Sequence, residues 1–228
     1  MQVLLVHAGV CDSRQWARQI ELLAAYDVIA PDLPGYGNAA PPEGEFSIVD
    51  ALVPLLDGPA AVVGNSFGGR IALQLALERP DLVDRLMLVA PGLPGWDWSP
   101  EFHAYNAAEE AALERGDVDA LVEVNMEFWV QPHVRDVVRP MQRRAVEVDL
   151  AAPEASPRPG PPIDPGAVAC PTTIAIGGQD IPDMRAIAAK LAGEIPGARL
   201  ETIPEAGHLP NLETPEEFDR LLLEFLED

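Results

Sequence analysis

Val62-Val63-Gly64-Asn65-Ser66-Phe67-Gly68-Gly69 is the stretch of this 228-residue chain whose reading decides the fold. A short β-branched run ends in glycine, then serine, then two more glycines. After them, Ile71-Ala72-Leu73-Gln74-Leu75-Ala76-Leu77-Glu78 is built of strong helix formers. The pattern predicts strand, very tight turn, helix. Gly64-x-Ser66-x-Gly68 fits a nucleophile elbow, where small residues two before and two after the serine let strand and helix pack around a strained turn. Such a turn lifts the Ser66 hydroxyl clear of the sheet and aims the first N–H groups of the helix at the same spot. A glycine-rich turn with a capping serine has the same letters, and GxSxG arises by chance. The rest of the chain decides between them.

Working outward, short apolar runs alternate with helical patterns. Strands are expected at Val3–Val6, Asp27–Ala30, Ala60–Val63, Leu86–Ala90, Thr172–Ile176 and Arg199–Ile203. Continuous apolar runs mark strands buried on both faces. Asp12 or Ser13 can cap a helix carrying Trp16, Ile20, Leu22 and Leu23. Further helices are expected around Ser47–Leu56, after the elbow as far as Glu78-Arg79-Pro80, near Asp183–Ile195, and after Thr214-Pro215-Glu216-Glu217, which reads as a capping box. Six strands with alternating helices make an α/β fold, a mainly parallel sheet covered on both faces. The stretch 92–166 breaks the alternation. It holds Trp96, Trp98 and Trp129, two or three helices (Glu109–Arg115 and Asp119–Trp129 the clearest), and a proline-rich close from Pro153 to Gly166 that reads as a stiff extended connector. The domain organisation is therefore a core, 1–91 and 167–228, with 92–166 inserted as a helical cap over the strand ends.

Composition removes several classes of function. Lys and Arg number 15 against 37 Asp and Glu, a formal net charge of −22. Nucleic acid and anionic membrane both need a basic footprint, so neither is an expected partner. No run of 18 apolar residues offers a membrane span, and Met1-Gln2-Val3-Leu4-Leu5-Val6 lacks the basic lead and length of a signal peptide. Cys11 and Cys170 lack metal-ligand spacing and suit free thiols in a reducing cytoplasm.

Loops after strand C-termini line the crevice of an open α/β sheet. Three of them carry reactive side chains: Ser66, then Asp180 in Gly177-Gly178-Gln179-Asp180, then His208 in Ala206-Gly207-His208. A serine hydroxyl is a weak nucleophile that a neutral imidazole can deprotonate during attack. A carboxylate fixes the imidazole tautomer and stabilises the imidazolium. Asp183, better suited to capping a helix, and Asp97 are the rival acids. His7-Ala8-Gly9-Val10, after the first strand, offers N–H groups of Gly9 or Val10 that, with Phe67, could bind an oxyanion. His7 itself reads as structural, Asp32 as tying its own turn, Cys11 as inert, and His103 and His133 as lying outside the chemistry. The aromatics Trp96, Trp98, Phe128 and Trp129 are candidates for the substrate pocket. This chemistry requires no metal or organic cofactor, and a histidine base predicts activity rising through about pH 6–7.

These pieces together resemble the α/β-hydrolase superfamily, most closely its esterase and enol-lactonase-like branch. The matching residues are Leu5-Val6-His7-Ala8-Gly9, Asp32-Leu33-Pro34-Gly35-Tyr36-Gly37, Gly64-Asn65-Ser66-Phe67-Gly68-Gly69, Gly178-Gln179-Asp180 and Gly207-His208. The resemblance implies nucleophile Ser66, acid Asp180, base His208 and a lid at the insertion. Three departures stand out. Ala8 replaces the usual glycine after the first histidine. The two strands that usually precede the His7 strand have no residues here. Only about thirty residues separate Asp32 from Ser66. Asp27–Ala30 is then expected at a sheet edge, covered or used in a homodimer. The function expected is a serine hydrolase of small, mainly apolar esters or lactones. The alternatives are the same triad used for C–C bond hydrolysis or another cofactor-free reaction, and a member that binds ligand without turnover.

Overall fold

A computed structural model of the chain describes residues 1–41, 44–151, 156–158 and 160–227. Its strands are β1 (Gln2–Val6), β2 (Asp27–Ile29), β3 (Glu45–Phe46), β4 (Ala60–Asn65), β5 (Val83–Val89), β6 (Ser156–Pro157), β7 (Thr172–Gly177) and β8 (Arg199–Ile203). Its α-helices are α1 (Ala17–Leu22), α2 (Ile48–Leu52), α3 (Phe67–Glu78), α4 (Pro100–Glu114), α5 (Val118–Trp129), α6 (Arg135–Ala151), α7 (Pro182–Glu194), α8 (Pro210–Glu213) and α9 (Pro215–Glu227). Six strands form one sheet in the order β2-β1-β4-β5-β7-β8. Each pairing in it is parallel. The α/β-hydrolase sheet expected from the sequence is the one observed, with β2 at an edge.

Alternate residues of a strand face opposite sides of a sheet, and in β1 both sides are packed. Leu4 and Val6 join the core shared with Ile48 of α2, Leu73 of α3 and Ile187 of α7. Val3 and Leu5 join the opposite core, with Trp16, Leu23 and, from α9, Phe218 and Leu222. A strand buried on both faces has no place for a polar side chain, which is why these strands read as unbroken apolar runs. The edge strand β8 and the start of β5 differ: four of the five β8 residues are exposed, and β5 begins at Val83, earlier than its apolar run, because Asp84 and Arg85 keep their side chains partly in solvent.

Helix ends follow their caps. Asp12 accepts from the Arg14 N–H and opens a 3-10 turn, Ser13–Trp16, that leads into α1. Of the apolar residues in this pattern, Trp16 and Leu23 are fully buried, whereas Ile20 and Leu22 are 40% and 38% exposed. Thr214 does not act alone before α9: a short helix, α8, precedes it, and the Thr214 hydroxyl donates to the Pro210 carbonyl at 3.3 Å.

Within 92–166, the described residues form three α-helices, α4, α5 and α6. Ser99 caps α4 by accepting from the Phe102 N–H, with Pro100 at the first helical position. Gly116, at φ 62°, ends that hairpin arm, and Asp117 caps α5 by accepting from Ala120. α6 runs through Pro140. The three share a core of their own, Leu121, Val122, Met126, Val138 and Met141 among it, which also includes Ala8, Val10 and Leu209. So α4–α6 pack onto the loops that follow β1 and β8. Of the proline-rich connector, Pro153 and Pro159 lie outside the described residues. Pro165 opens a 3-10 turn capped by Asp164.

Candidate active site

Ser66 joins β4 to α3 with φ 55° and ψ −111°, a region costly for a residue with a Cβ. Hydrogen bonds hold it there. Its N–H donates to the Val89 carbonyl at 2.8 Å, and its carbonyl accepts from Arg70 and Gly92 at 3.0 and 3.2 Å. A Cβ on Gly64 would collide with the Gly68 carbonyl, and one on Gly68 with the carbonyls of Val6 and His7. Only glycine lets β1, β4 and α3 approach this closely.

The same device brings the other two loops together. A Cβ on Gly177 would collide with the Gly207 and Ala206 carbonyls. Gly178 and Gln179 donate to the Ile203 and Ala206 carbonyls, each at 2.8 Å. The loops after β7 and β8 are thereby locked backbone to backbone. Asp180 Oδ2 lies 2.9 Å from His208 Nδ1, and His208 Nε2 lies 2.7 Å from Ser66 Oγ. Asp180 Oδ1 accepts from the Ile181 N–H at 2.8 Å. Asp180 is 5% and His208 4% exposed, so the pair sits where charge is poorly screened. With a carboxylate at Nδ1, that nitrogen carries the proton and Nε2 accepts from the serine hydroxyl. The Trp129 ring covers the imidazole, with centroids 4.4 Å apart.

His7 is arranged differently. Leu33 N–H donates to its Nε2 at 3.0 Å, so Nδ1 donates to the Ala8 carbonyl at 2.9 Å. Burial holds its pKa below the ordinary histidine value, keeping it neutral. Asp32 accepts from Ser13 and Asn38 N–H groups at 2.9 and 2.7 Å. It therefore ties two loops rather than its own turn alone. Asp183 is engaged elsewhere: its Oδ1 accepts from Trp96 Nε1 and the Ser99 N–H. Burial pushes the Cys11 thiol well above its ordinary pKa.

Two groups that sequence reasoning passes over support the site. The first is a buried hub of three amides, Gln15, Asn65 and Asn211, each no more than 1% exposed. Gln15 Oε1 accepts from the Ala8 N–H at 2.8 Å, and its Nε2 donates to Asn65 Oδ1 and Asn211 Oδ1. Asn65 Nδ2 donates to the carbonyls of Val89 and His208. Asn211 Nδ2 donates to the Gln15 carbonyl and Gln19 Oε1. The hub thus links the loop after β1, the elbow and the loop that carries His208. The second is Glu213, whose Oε2 accepts from the Gly207 N–H at 2.6 Å while its Oε1 is buried without a partner among the described residues. Nothing in the spacing of these residues marks them. Only Asn65, beside the serine, stood at a position worth asking about.

Ser66 and His208 open onto a cavity of about 510 Å³ whose lining includes Gly9, Val10, Tyr36, Phe46 and Phe67. Helices α4, α5 and α6 supply most of the remaining lining. Of the four aromatics expected there, Trp129 borders the cavity; Trp96, Trp98 and Phe128 do not. Trp96 is turned to Asp183, Trp98 stacks on Phe102 with centroids 3.8 Å apart, and Phe128 stacks on Tyr105 at 4.3 Å. Trp98 and Phe128 thus stack on rings of α4, and Trp96 is tied to α7 through Asp183.

A sheet of this topology with a serine on a strained strand–helix turn defines a class, and the sequence comparisons give its family. The sequence model of the alpha/beta hydrolase family matches residues 3–221, and the chain belongs to that family. Lipase LipV of Mycobacterium tuberculosis is 41% identical over 98 residues, a match covering 40% of this chain and only 38% of LipV. 2-Hydroxymuconate semialdehyde hydrolase of Pseudomonas putida is 30% identical over 225 residues, covering 87% of this chain and 76% of that protein. Among solved structures, a thermophilic esterase from Thermogutta terrifontis, with malate bound, superposes with a TM-score of 0.81 at 27% identity, covering 100% of this chain and 89% of that one. Among the described residues, no helix is long and apolar enough to cross a membrane.

Proposed function

We propose that the protein is a serine hydrolase of small, mainly apolar carboxylic esters or lactones. The observation that carries this reading is the continuous relay Asp180–His208–Ser66, at 2.9 and 2.7 Å, opening onto a largely apolar cavity. Ser66 attacks the carbonyl carbon as His208 Nε2 takes its proton. His208 then protonates the leaving alkoxide, leaving an acyl-enzyme. Water, deprotonated by the same nitrogen, releases the acid and restores the serine. Asp180 holds the tautomer and offsets the imidazolium charge. Phe67 N–H, at the start of α3, and Gly9 N–H, with Val10 next along that loop, are the oxyanion donors. Losing one such donor costs about 3–4 kcal/mol of transition-state stabilisation. The inserted helices act as the cap, closing the cavity over the acyl group.

Ser66→Ala is expected to lower kcat for a p-nitrophenyl ester by at least about 10⁴-fold while leaving the melting temperature in place. Retention of most of the rate would contradict a serine nucleophile. A second reading, C–C bond hydrolysis at the same serine, is favoured by the Pseudomonas putida relative, similar across 87% of this chain. Turnover of a vinylogous 1,5-diketone with no turnover of any ester in the same panel would select it.

A further inference from the structure

The loop Asp32-Leu33-Pro34-Gly35-Tyr36-Gly37, after β2, is built around the side chain of Tyr36. Gly35 and Gly37, on either side of it, have φ of 86° and 52°, the left-handed region that glycine enters freely. A Cβ on Gly37 would also collide with the Asp32 carboxylate. The Tyr36 N–H donates to the Leu33 carbonyl at 2.8 Å, and its carbonyl accepts from the Ala39 N–H at 2.9 Å. From α6, Arg144 Nε donates to the Gly37 carbonyl at 3.1 Å. The loop is thus fixed on both flanks of the tyrosine.

The ring so placed stands edge-on to His7, with centroids 4.9 Å apart, and tilted to Phe67 at 6.2 Å. Tyr36 borders the cavity that Ser66, His208, Gly9 and Phe67 also line. A Cβ built on Gly9 would lie 3.9 Å from the Tyr36 hydroxyl oxygen and 3.5 Å from the Phe67 Cβ. The hydroxyl therefore stands beside the two residues whose N–H groups serve as oxyanion donors in the proposed reaction. A phenol carries one donor, and the hydrogen bonds of Tyr36 to the described residues are those of its backbone. That donor is left for a group bound in the cavity. Burial raises the phenol pKa to about 12, so it keeps its proton throughout the range in which His208 acts as a base.

We propose that Tyr36 is a further catalytic donor: its hydroxyl hydrogen-bonds the substrate carbonyl oxygen as negative charge develops there, beside the N–H groups of Gly9 and Phe67. The proposal rests on the hydrolase reading of Ser66 and adds a side chain to its machinery. No proton changes hands between Tyr36 and substrate. The hydrogen bond strengthens as the carbonyl becomes an alkoxide, so it acts on the transition state more than on the bound ester.

Tyr36→Phe removes the hydroxyl and keeps the ring contacts with His7 and Phe67. The variant is expected to hydrolyse a p-nitrophenyl ester with kcat lowered about 10- to 100-fold, KM changed by less than about twofold and an unaltered melting temperature. Two ketones of matched shape separate a donor from a packing residue. The carbonyl carbon of an alkyl trifluoromethyl ketone bonds to Ser66 Oγ, the serine proton passes to His208, and the ketone oxygen becomes an oxyanion. The methyl ketone binds without adding. Tyr36→Phe should weaken inhibition by the trifluoromethyl ketone by about the factor lost from kcat, and leave the methyl ketone within about twofold. Equal weakening of both ketones overturns the proposal. So does a kcat within about twofold of the parent's, which leaves a Ser66-dependent hydrolase standing. If no ester is turned over, phosphonylation of Ser66 by an alkyl fluorophosphonate decides, since the phosphoryl oxygen takes the place of the carbonyl oxygen. A rate about tenfold lower in Tyr36→Phe supports the proposal. Equal rates, or no labelling of Ser66 in either protein, overturn it.

Discussion

Two histidines follow strand ends in this molecule, and their nitrogens separate their roles. In His7 both are occupied by backbone, Nε2 by the Leu33 N–H and Nδ1 by the Ala8 carbonyl. In His208 one nitrogen meets a carboxylate and the other a hydroxyl, the arrangement a proton relay needs. Glu213, six residues from Gly207 and bonded to its N–H, carries a pKa raised mainly by burial. A carboxyl whose folded-state pKa is raised binds more protons folded than unfolded. Its contribution is fully present below the unfolded value and is lost as pH rises through the folded one. Glu213→Gln removes that loss. The melting temperature of the variant relative to the parent should therefore climb as pH is raised from 4.5 to 8. A difference that stays flat or falls with pH would contradict a buried carboxyl that is hard to ionise.

At the scale of elements, Val3–Val6 and Ala60–Val63 were legible as strands because burial on both faces leaves only apolar letters, and Thr172–Ile176 because its two buried threonines are β-branched. The elbow was legible because glycine is the only residue that avoids backbone collision at Gly64 and Gly68. The Ser, Asp and His loops were legible for the same reason: each follows a strand that could be placed. The insertion was less so. α4 begins at Pro100, nine residues before its clearest pattern, since its first turns carry aromatics that pack sideways on one another. The pocket wall was hidden for the same reason, because which face of a cap helix meets the cavity depends on helix-to-helix packing. The amide hub was hidden because Gln15 and Asn211 are 196 positions apart. That hub spans three loops, so breaking it is an element-scale event. Asn65→Ala leaves Gln15 and the Val89 and His208 carbonyls short of partners in a buried site, at a cost of about 2–3 kcal/mol. The expected loss is about 4–10 °C in melting temperature, with kcat falling while KM changes little. An unchanged melting temperature would contradict a satisfied buried network.

Across the whole molecule, the parallel sheet delivers three distant positions to one rim, and α4–α6 pack onto the loops there. Convergence of Ser66, Asp180 and His208 on a single reactive oxygen is what makes the fold a catalyst in this reading. Reaction of the intact protein with an alkyl fluorophosphonate, followed by peptide mass spectrometry, tests that convergence most directly. An activated serine predicts one adduct, on Ser66, that forms rapidly in the parent protein and at a small fraction of that rate in His208→Ala. No adduct, or an adduct on another residue with Ser66 unmodified, would contradict it.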